Sequence, residues 1–375
     1  MCSSDLAHHW GWQVIRPHAC HCVCCAAPRG GRPALGRPGG WPQLRKQSGA
    51  ALLAAMLTVT LVATFAAAAA WQQWRAIEVE TAERQRVQAS WILVGALDWA
   101  RLILREDARS GGADHLAEPW AVPLQEARMS SFLAADKNNT ALSPEEENTE
   151  VFLSGQITDA QSLLNVTNLV DNGKVHEPTF KAFAKLFDLL NLEQNELLQL
   201  AENLRFAGDI RPENQSAQAQ FAPLMPQRID QLVWLGVSPA TLQKLTPYIS
   251  LLPVRAALNV NTAPAELLYA SIPALQIDGA RRMVTKRAQQ HFRNLGEAGQ
   301  VVPEIAAQIS EGQHSVATRF FEVRGRLRLN ELVVQERSLV QRDGLDVRTL
   351  WRERSALSPQ LGSDDSGAGP AASLQ

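Results

Sequence analysis

The longest apolar run of the sequence extends over Ala50–Trp71 and contains only three polar residues, all of them threonines. No charged residue occurs between Lys46 and Arg75. As a helix, the apolar run would span ~33 Å, which matches the ~30 Å hydrocarbon core of a bilayer. A basic pair, Arg45 and Lys46, precedes the run, so the positive-inside rule places the N-terminal side in the cytoplasm and the body outside it.

Three ways of processing this segment are open. Signal peptidase could cut after a small-x-small pattern within Ala66–Ala70 and release the body. The segment could also remain as an uncut anchor. In the third case, cleavage in front of the apolar run, after Gly49, keeps the membrane helix in the mature protein.

The residues after the apolar run favour one continuous helix. Between Trp71 and Arg109 there is no proline and a single glycine, so a helix ~90 Å long can run from Ala50 to about Arg109. The part Arg75–Ser90 is largely polar and typical of a solvated helix. Trp91–Leu104 is apolar on nearly every face, which predicts that other structure covers it. A membrane helix whose far half is wrapped by a globular domain is the design of pilins.

Short strands are predicted on both sides of a helical block. Before the block, residues 118–124 predict an edge strand, and 151–158 with 161–169 predict a hairpin around Asp159-Ala160. After the block, three strands are predicted at 318–329, 331–341 and 345–352, with a tight turn at Arg342-Asp343-Gly344. Because a three-stranded meander offers too little sheet alone, we expect the early and late strands to share one core.

The block between these strands, residues 172–309, has helical periodicity. Phe180, Phe183, Phe187 and Leu190 follow the spacing of one helix face. Further short helices are predicted at 197–204, 229–235 and 241–249. The stretch 267–287 reads as helix, turn, helix, after Thr262 as N-cap, and resembles a helix-hairpin-helix.

Charge and cysteine are unevenly distributed along the chain. Residues 1–48 carry a net charge of +5, whereas the remainder carries −7. No cysteine occurs after Cys25, which excludes a disulfide framework or a cysteine-based site in the body. The acidic body also argues against a broadly basic nucleic-acid surface. Residues 1–49 show no helical or strand period, and we interpret them as a disordered leader that is removed or that reflects a misassigned start.

Candidate chemistry in the body is sparse. Arg281, Arg282, Lys286 and Arg287 could attract a phosphate to the hairpin, but Asp278 lies where the anion would sit. The histidines at 115, 176, 291 and 314 are widely spaced and predicted to lie at the surface. No hydrolase or phosphate-loop motif is present, so we expect no enzymatic activity. Asp136 and Glu145–Glu147 could contribute oxygen ligands to calcium, although their spacing is not that of an EF-hand.

Over residues 45–353 the sequence resembles the type II secretion system minor pseudopilin K family. The resemblance rests on the basic leader ending in Gly49 and on four body motifs: Asp98–Arg101, Pro119–Leu124, Asp159–Gln161 with Asn165 and Asn168-Leu169, and Asn259–Glu266. It implies an α+β fold in which a pilin-like long N-terminal helix packs on an antiparallel sheet. A large all-α domain of SAM-like or helix-hairpin-helix type would be inserted into that sheet.

The expected domain organisation follows from this order of elements. It comprises a leader (1–49), the transmembrane part of the long helix (50–71), a first pilin-like part (72–170), an inserted helical domain (171–314) with its helix-hairpin-helix near 258–290, a second pilin-like part (315–353) and a disordered tail (354–375).

The resemblance also implies how the N-terminus is processed. Prepilin peptidase would cleave between Gly49 and Ala50 and methylate the new N-terminus at Ala50. Most pseudopilins have Glu at mature position five, whereas this family typically lacks it, and Ala54 occupies that position here. Since a carboxylate in the bilayer needs a partner such as the terminal amine of a neighbouring subunit, a subunit without it suits the tip of the assembly.

The function implied by the resemblance is assembly rather than chemistry. The chain would be a single-pass inner-membrane subunit with a cytoplasmic N-terminus and a periplasmic body. It would cap the pseudopilus and initiate its assembly for export of folded periplasmic proteins across the outer membrane. Its partners would be the H, I and J minor pseudopilins, prepilin peptidase and the inner-membrane assembly platform. No cofactor is required, and calcium is an option without assigned ligands.

Two other classes of function are open on the sequence alone. A membrane-anchored periplasmic helix-hairpin-helix protein could bind DNA during uptake. A periplasmic protein released after Ala70 would have a mature N-terminus at Trp71.

Overall fold

The computed structural model describes residues 50–128, 151–208, 222–330 and 332–357. In these ranges the α-helices are α1 (Ala50–Ser110), α2 (Glu177–Leu189), α3 (Gln194–Gly208), α4 (Pro239–Leu245), α5 (Ala265–Ser271), α6 (Ile277–Gln289) and α7 (Leu295–Val301). The strands are β1 (Leu124–Arg128), β2 (Val151–Asp159), β3 (Leu164–Asn165), β4 (Val170–Asp171), β5 (Lys174–Val175), β6 (Ile249–Ser250), β7 (Leu258–Asn259), β8 (His314–Ser315), β9 (Phe320–Leu329), β10 (Leu332–Asp343) and β11 (Asp346–Leu357).

Helix α1 is unbroken, as its lack of proline predicts. It ends where two successive glycines adopt positive φ angles, 65° at Gly111 and 116° at Gly112. Residues with a side chain rarely adopt this conformation, so the glycine pair stops the helix. The predicted end near Arg109 is therefore confirmed, since the helix ends at Ser110.

A five-stranded antiparallel sheet in the order β1-β2-β9-β10-β11 forms the floor under the second part of α1. The strands β2 and β9 are neighbours in the sheet, although β2 ends at Asp159 and β9 begins only at Phe320. Asp159 at the end of β2 pairs with Phe321 near the start of β9. The intervening residues form the helical domain, which is thus inserted between two adjacent strands.

Side chains at helical spacing attach α1 to the sheet. The buried ones are Ala89, Leu93, Leu97, Ala100 and Leu104. Gly155 and Gly325 pair across β2 and β9 beneath this face. A Cβ atom at Gly325 would lie 3.3 Å from Leu93 Cδ2, so the glycine permits the helix to approach the sheet closely.

A buried carboxylate with two partly exposed arginine partners lies beside the glycines in the same interface. Glu336 on β10 is 3% exposed and accepts hydrogen bonds from Arg354 on β11, at 2.6 and 3.1 Å. Arg352 pairs with the same carboxylate. Arg354 also donates to Ser90 Oγ on α1 at 2.8 Å. Because a buried charge demands its partners, this chain of contacts specifies where α1 lies on the sheet.

The inserted domain has one continuous apolar core that extends from Leu164 to Ile305. Phe183 and Phe187 are fully buried in it, and Phe180 and Leu190 pack against it, as their helical spacing predicts. The 3₁₀ turn Ile229–Leu235 and α4–α7 supply the other walls.

Three sequence-based predictions near the start of the inserted domain are wrong. Residues 161–169 do not form a strand, and there is no hairpin at Asp159-Ala160. Instead Ala160–Ser162 forms a 3₁₀ turn, because the Asp159 carboxylate accepts a hydrogen bond from Gln161 N at 2.7 Å. Only β3 remains extended, and it pairs in parallel with β6. Since Leu164, Val166 and Leu169 lie in the helical core, the inserted domain begins after Asp159 and not at residue 171.

The predicted strand at 118–124 is also wrong. Pro119–Ala121 forms a 3₁₀ turn, since proline suits the first position of a helical turn. The strand β1 begins only at Leu124. At the other end of the chain, β11 pairs with β10 as far as Leu357, so the first residues of the predicted tail at 354–375 belong to the sheet. The leader and the rest of the tail lie outside the described residues.

Candidate functional site

The predicted processing residues lie at the start of α1. Ala50 is the first described residue and begins the helix, and Ala54 is exposed one turn further on. Gly49 lies outside the described residues. Cleavage between Gly49 and Ala50, methylation of Ala50 and the significance of Ala54 remain predictions.

The first part of α1 has the character of a membrane span. Within the described ranges, α1 is the one helix that is long and apolar enough to cross a bilayer. Its three threonines, Thr58, Thr60 and Thr64, donate to backbone carbonyls three residues earlier, at 2.8 to 3.0 Å. Their hydroxyl groups are therefore satisfied without water, as a lipid environment requires.

The face of α1 that points away from the sheet carries a second stripe of residues. It consists of Val87, Trp91, Gly95, Asp98 and Leu102 and is called here the outer stripe. Each of its residues lies two positions before one of the buried residues of α1. Two positions correspond to a rotation of about 200° around the helix axis, so the outer stripe lies nearly opposite the buried face. Trp91 is 71% exposed and Leu102 is 40% exposed. The prediction that other structure covers Trp91–Leu104 is thus wrong for this face.

A buried carboxylate joins the sheet to the inserted domain. Asp159 is buried and its Oδ2 accepts hydrogen bonds from Thr262 Oγ1 at 2.6 Å, Thr318 Oγ1 at 2.6 Å and Asn259 Nδ2 at 3.0 Å. These donors belong to the middle of the inserted domain and to the segment that returns to β9. The carboxylate therefore connects both crossings between the two domains. Burial raises the pKa of Asp159 to about 6, although these hydrogen bonds oppose the rise.

Arg342 on β10 forms a second link at the same junction. Its guanidinium donates to Asp107 Oδ2 on α1 at 2.6 Å, to Asp114 Oδ1 in the following loop and to Thr318 O at 2.9 Å. Asp114 in turn accepts from Thr318 N at 2.6 Å. All three charged side chains are nearly buried. The end of α1, the sheet and the returning chain are thus held by one arginine.

A polar cavity of about 280 Å³ lies beside Arg342. Glu118 lines it and accepts hydrogen bonds from Trp120 Nε1 at 2.7 Å and His115 N at 3.0 Å. Burial raises the pKa of Glu118 to about 7. His115 stacks on His291 of the inserted domain with ring centroids 3.8 Å apart. The junction therefore contains one carboxyl group, that of Glu118, whose pKa is close to neutral pH.

The carboxylates of Asp107, Asp114 and Glu118 are the acidic cluster of the described residues that could hold a metal ion, with oxygens within 4.8 Å of one another. Two of the three, however, bond to the Arg342 guanidinium, so the cluster already contains a cation. Since calcium takes six to eight oxygen ligands, the present arrangement does not fit it. The residues considered for calcium from the sequence, Asp136 and Glu145–Glu147, lie outside the described residues.

The helix-hairpin-helix consists of α5 and α6. Asp278 is exposed in the first turn of α6, where a bound phosphate would meet its charge. Arg281 pairs with Asp278 at 3.7 Å, and Arg287 turns inward to donate to Val260 O at 2.7 Å. Burial lowers the pKa of Arg287 to about 10. Four basic residues were considered for attracting a phosphate. Two of them, Arg281 and Arg287, contact other groups of the chain, and only Arg282 and Lys286 are exposed without such contacts. This favours a packing role for the motif.

The prediction that every histidine lies at the surface is wrong. His314 is 1% exposed, and burial lowers its pKa to about 4. Its Nδ1 accepts from Ser310 N, so the proton lies on Nε2, which donates to Ser271 Oγ at 3.2 Å. An activated serine would instead donate to the imidazole. This serine–histidine pair therefore has the wrong polarity for nucleophilic catalysis. His176 caps α2 by accepting from Thr179 N.

A long N-terminal helix on an antiparallel sheet, with a helical domain inserted between adjacent strands, defines a pilin-like subunit. A solved structure has the same arrangement. It is a chain in the crystal structure of the GspK-GspI-GspJ complex from the enterotoxigenic Escherichia coli type 2 secretion system. That chain aligns with a TM-score of 0.54 and 19% identity, over 73% of this chain and 98% of the other.

Within this class of pilin-like subunits, comparisons of sequence point to one family. Two family profiles for type II secretion system protein K match residues 162–254 and 258–317, both within the inserted domain. The type II secretion system protein K of Pseudomonas aeruginosa is 26% identical over 86% of this chain and 98% of its own length. The Klebsiella pneumoniae protein of the same name is 28% identical over 80% of this chain and 94% of its own length.

These matches confirm the resemblance to type II secretion system protein K that the sequence motifs indicate. They support the corresponding class for this chain, a minor pseudopilin of a type II secretion system. The fold predicted from the sequence, a pilin-like helix and sheet with an inserted all-α domain, is confirmed.

Proposed function

We propose that this chain caps the tip of a type II secretion pseudopilus and initiates its assembly with the H, I and J minor pseudopilins. The observation that carries the proposal is the outer stripe of α1. Apart from Asp98, which pairs with Arg101, the outer stripe is uncharged, and such a stripe that the chain's own sheet leaves exposed is suited to packing against helices of neighbouring subunits. Gly95 within it lets another helix approach closely. The similar chain of known structure forms a complex with GspI and GspJ, which supports the same partners here.

The inserted domain would provide the cap. It leaves the sheet after Asp159 and returns at Phe320, and the contacts of Asp159 and Arg342 hold both crossings. A bulky domain attached at buried ionic contacts cannot swing aside easily. In this proposal it occupies the position that the next subunit would take, and so ends the pseudopilus.

Removing the inserted domain tests the cap. Asp159 and Phe321 are paired in adjacent strands, so an Asn-Gly turn can replace residues 160–320 and leave the order of the sheet unchanged. We expect the shortened chain to bind its partners through α1 but to abolish secretion. Recovery of the partners with the shortened chain is the control for folding. Normal secretion by a shortened chain that still binds its partners would refute the capping role.

Membrane orientation and processing belong to the same proposal. The N-terminus would be cytoplasmic and the body periplasmic, and prepilin peptidase would cut between Gly49 and Ala50. The mature N-terminus, measured by mass spectrometry of the protein purified from membranes, distinguishes the alternatives. Ala50 as the first residue, with or without a methyl group, supports the proposal. Trp71 as the first residue would contradict it, because the membrane helix would be lost.

A further inference from the structure

The turn between α5 and α6 surrounds a single positive charge. Lys185 on α2 extends its side chain to this turn, and its Nζ lies within hydrogen-bonding distance of four backbone carbonyl oxygens. The distances are 2.5 Å to Tyr269 O, 3.0 Å to Ile272 O, 3.1 Å to Pro273 O and 3.4 Å to Leu275 O. One ammonium group therefore serves four acceptors, one more than the number of its hydrogens.

The ligands of this ammonium are all neutral. Three of the carbonyls lie at or just beyond the C-terminal end of α5, where backbone oxygens lack helical partners and the helix dipole is negative. The ring of Tyr269 faces the same charge at 4.2 Å. Among the described residues, no carboxylate forms an ion pair with Lys185. Several neutral oxygens and an aromatic face suit a monovalent cation, since divalent ions prefer carboxylates.

We propose that the α5–α6 turn is a monovalent-cation site whose cation is the chain's own Lys185 ammonium, and that a free potassium ion occupies the site when this side chain is removed. The lysine ties α2 to the hairpin and keeps the turn independent of the ions in its surroundings. Half-burial of Lys185 is consistent with this role, and desolvation lowers its pKa. The inference does not depend on the capping role of the chain.

The test is the cation dependence of unfolding. The full-length chain is purified in detergent, and its melting temperature is compared in potassium, sodium and choline chloride at equal ionic strength. For Lys185→Ala we expect a saturable increase of roughly 3 °C or more in potassium over choline, which is too large to enter the site. For the wild type we expect the same melting temperature in all three salts.

Two variants serve as controls. Lys181→Ala removes an exposed lysine one turn earlier, which pairs with Glu177 and contacts no carbonyl of the turn, so it should show no cation dependence. Lys185→Met keeps the apolar stem in place and should be destabilised without rescue by potassium. Equal melting temperatures for Lys185→Ala in all three salts would overturn the proposal.

A second measurement covers the case in which Lys185→Ala does not fold in any salt. Nuclear magnetic resonance of the wild type with ¹⁵N-labelled lysine reports how fast ammonium hydrogens exchange with water. The proposal expects a resolved, slowly exchanging ammonium signal that is absent in Lys185→Met. Exchange of the Lys185 hydrogens as fast as those of the exposed Lys181 would overturn it.

Discussion

The inserted helical domain and the pilin-like domain bury their apolar residues in different ways. The helical domain encloses one continuous core between Leu164 and Ile305. The pilin-like domain divides its apolar contacts between α1 and the sheet into smaller clusters and leaves the outer stripe exposed. The apolar core of the helical domain is therefore closed by the chain's own residues. The pilin-like domain, by contrast, has an exposed surface that subunits of an assembly can cover.

The largest expected effect is on the self-contained core. Phe187→Ala should lower the free energy of unfolding by about 3–5 kcal/mol, since it leaves a cavity among fully buried side chains. Phe206→Ala on the neighbouring helix is the control, because Phe206 is 40% exposed and should cost about 1 kcal/mol or less. Urea unfolding of both variants measures the difference. Similar losses for the two variants would mean that the core is less closely packed than described.

The next effect concerns the junction between the two domains. Asp159→Ala leaves three side-chain donors and Gln161 N without their acceptor in a buried site, so we expect a loss of about 2–4 kcal/mol. The two domains should also unfold in separate transitions, because the link between them is broken. Asp278→Ala, at an exposed aspartate, is the control. A single transition with wild-type stability would show that Asp159 does not couple the domains.

A smaller effect is the pH dependence caused by Glu118. Its pKa is about 7 in the folded protein and near 4.5 when unfolded, so the unfolded chain loses this proton first as the pH rises. Stability should therefore fall between about pH 4.5 and pH 7. The difference in unfolding free energy between the wild type and Glu118→Gln isolates this contribution from those of Asp159 and His115. A difference that rises with pH over this range would contradict the assignment.

The smallest expected effect on stability is at the outer stripe. Trp91→Glu should change the free energy of unfolding by less than about 0.5 kcal/mol, because the side chain is already exposed. The matched change at the buried face, Leu93→Glu, should prevent folding of the pilin-like domain, since it places a charge against Gly325. Circular dichroism during thermal unfolding compares the two. Comparable destabilisation by both would show that the outer stripe is part of the protein's own core.

Patterns with a regular period were predictable from the sequence. The long helix follows from a stretch without proline between Ala50 and Arg109, and the last three strands follow from alternation and the turn at Gly344, whose φ is 59°. Phe183 and Phe187 are placed in the core by their helical spacing. Each of these features depends on neighbours in the chain, so a local pattern contains the information.

Features that depend on distant residues were not predictable in this way. The turn at Ala160–Ser162 depends on the Asp159 side chain, and β3 on pairing with Ile249 in a remote part of the chain. Arg342 joins Asp107 and Asp114, which precede the inserted domain in the sequence, to the strand β10, which follows it. The outer stripe was missed because apolar composition alone does not reveal which face the sheet covers. The sequence does contain one indication of the outer stripe, because its residues repeat the spacing of the buried face with an offset of two positions.

The most direct test of the account is recovery of partner subunits with the outer stripe altered. The tagged full-length chain is purified from cells that also produce the H, I and J minor pseudopilins, and the bound partners are quantified. Trp91→Glu with Leu102→Glu should reduce the recovered partners by tenfold or more, whereas Leu198→Glu on the inserted domain should retain them. Undiminished recovery with the folded double variant would contradict the claim that the outer stripe joins this subunit to its neighbours.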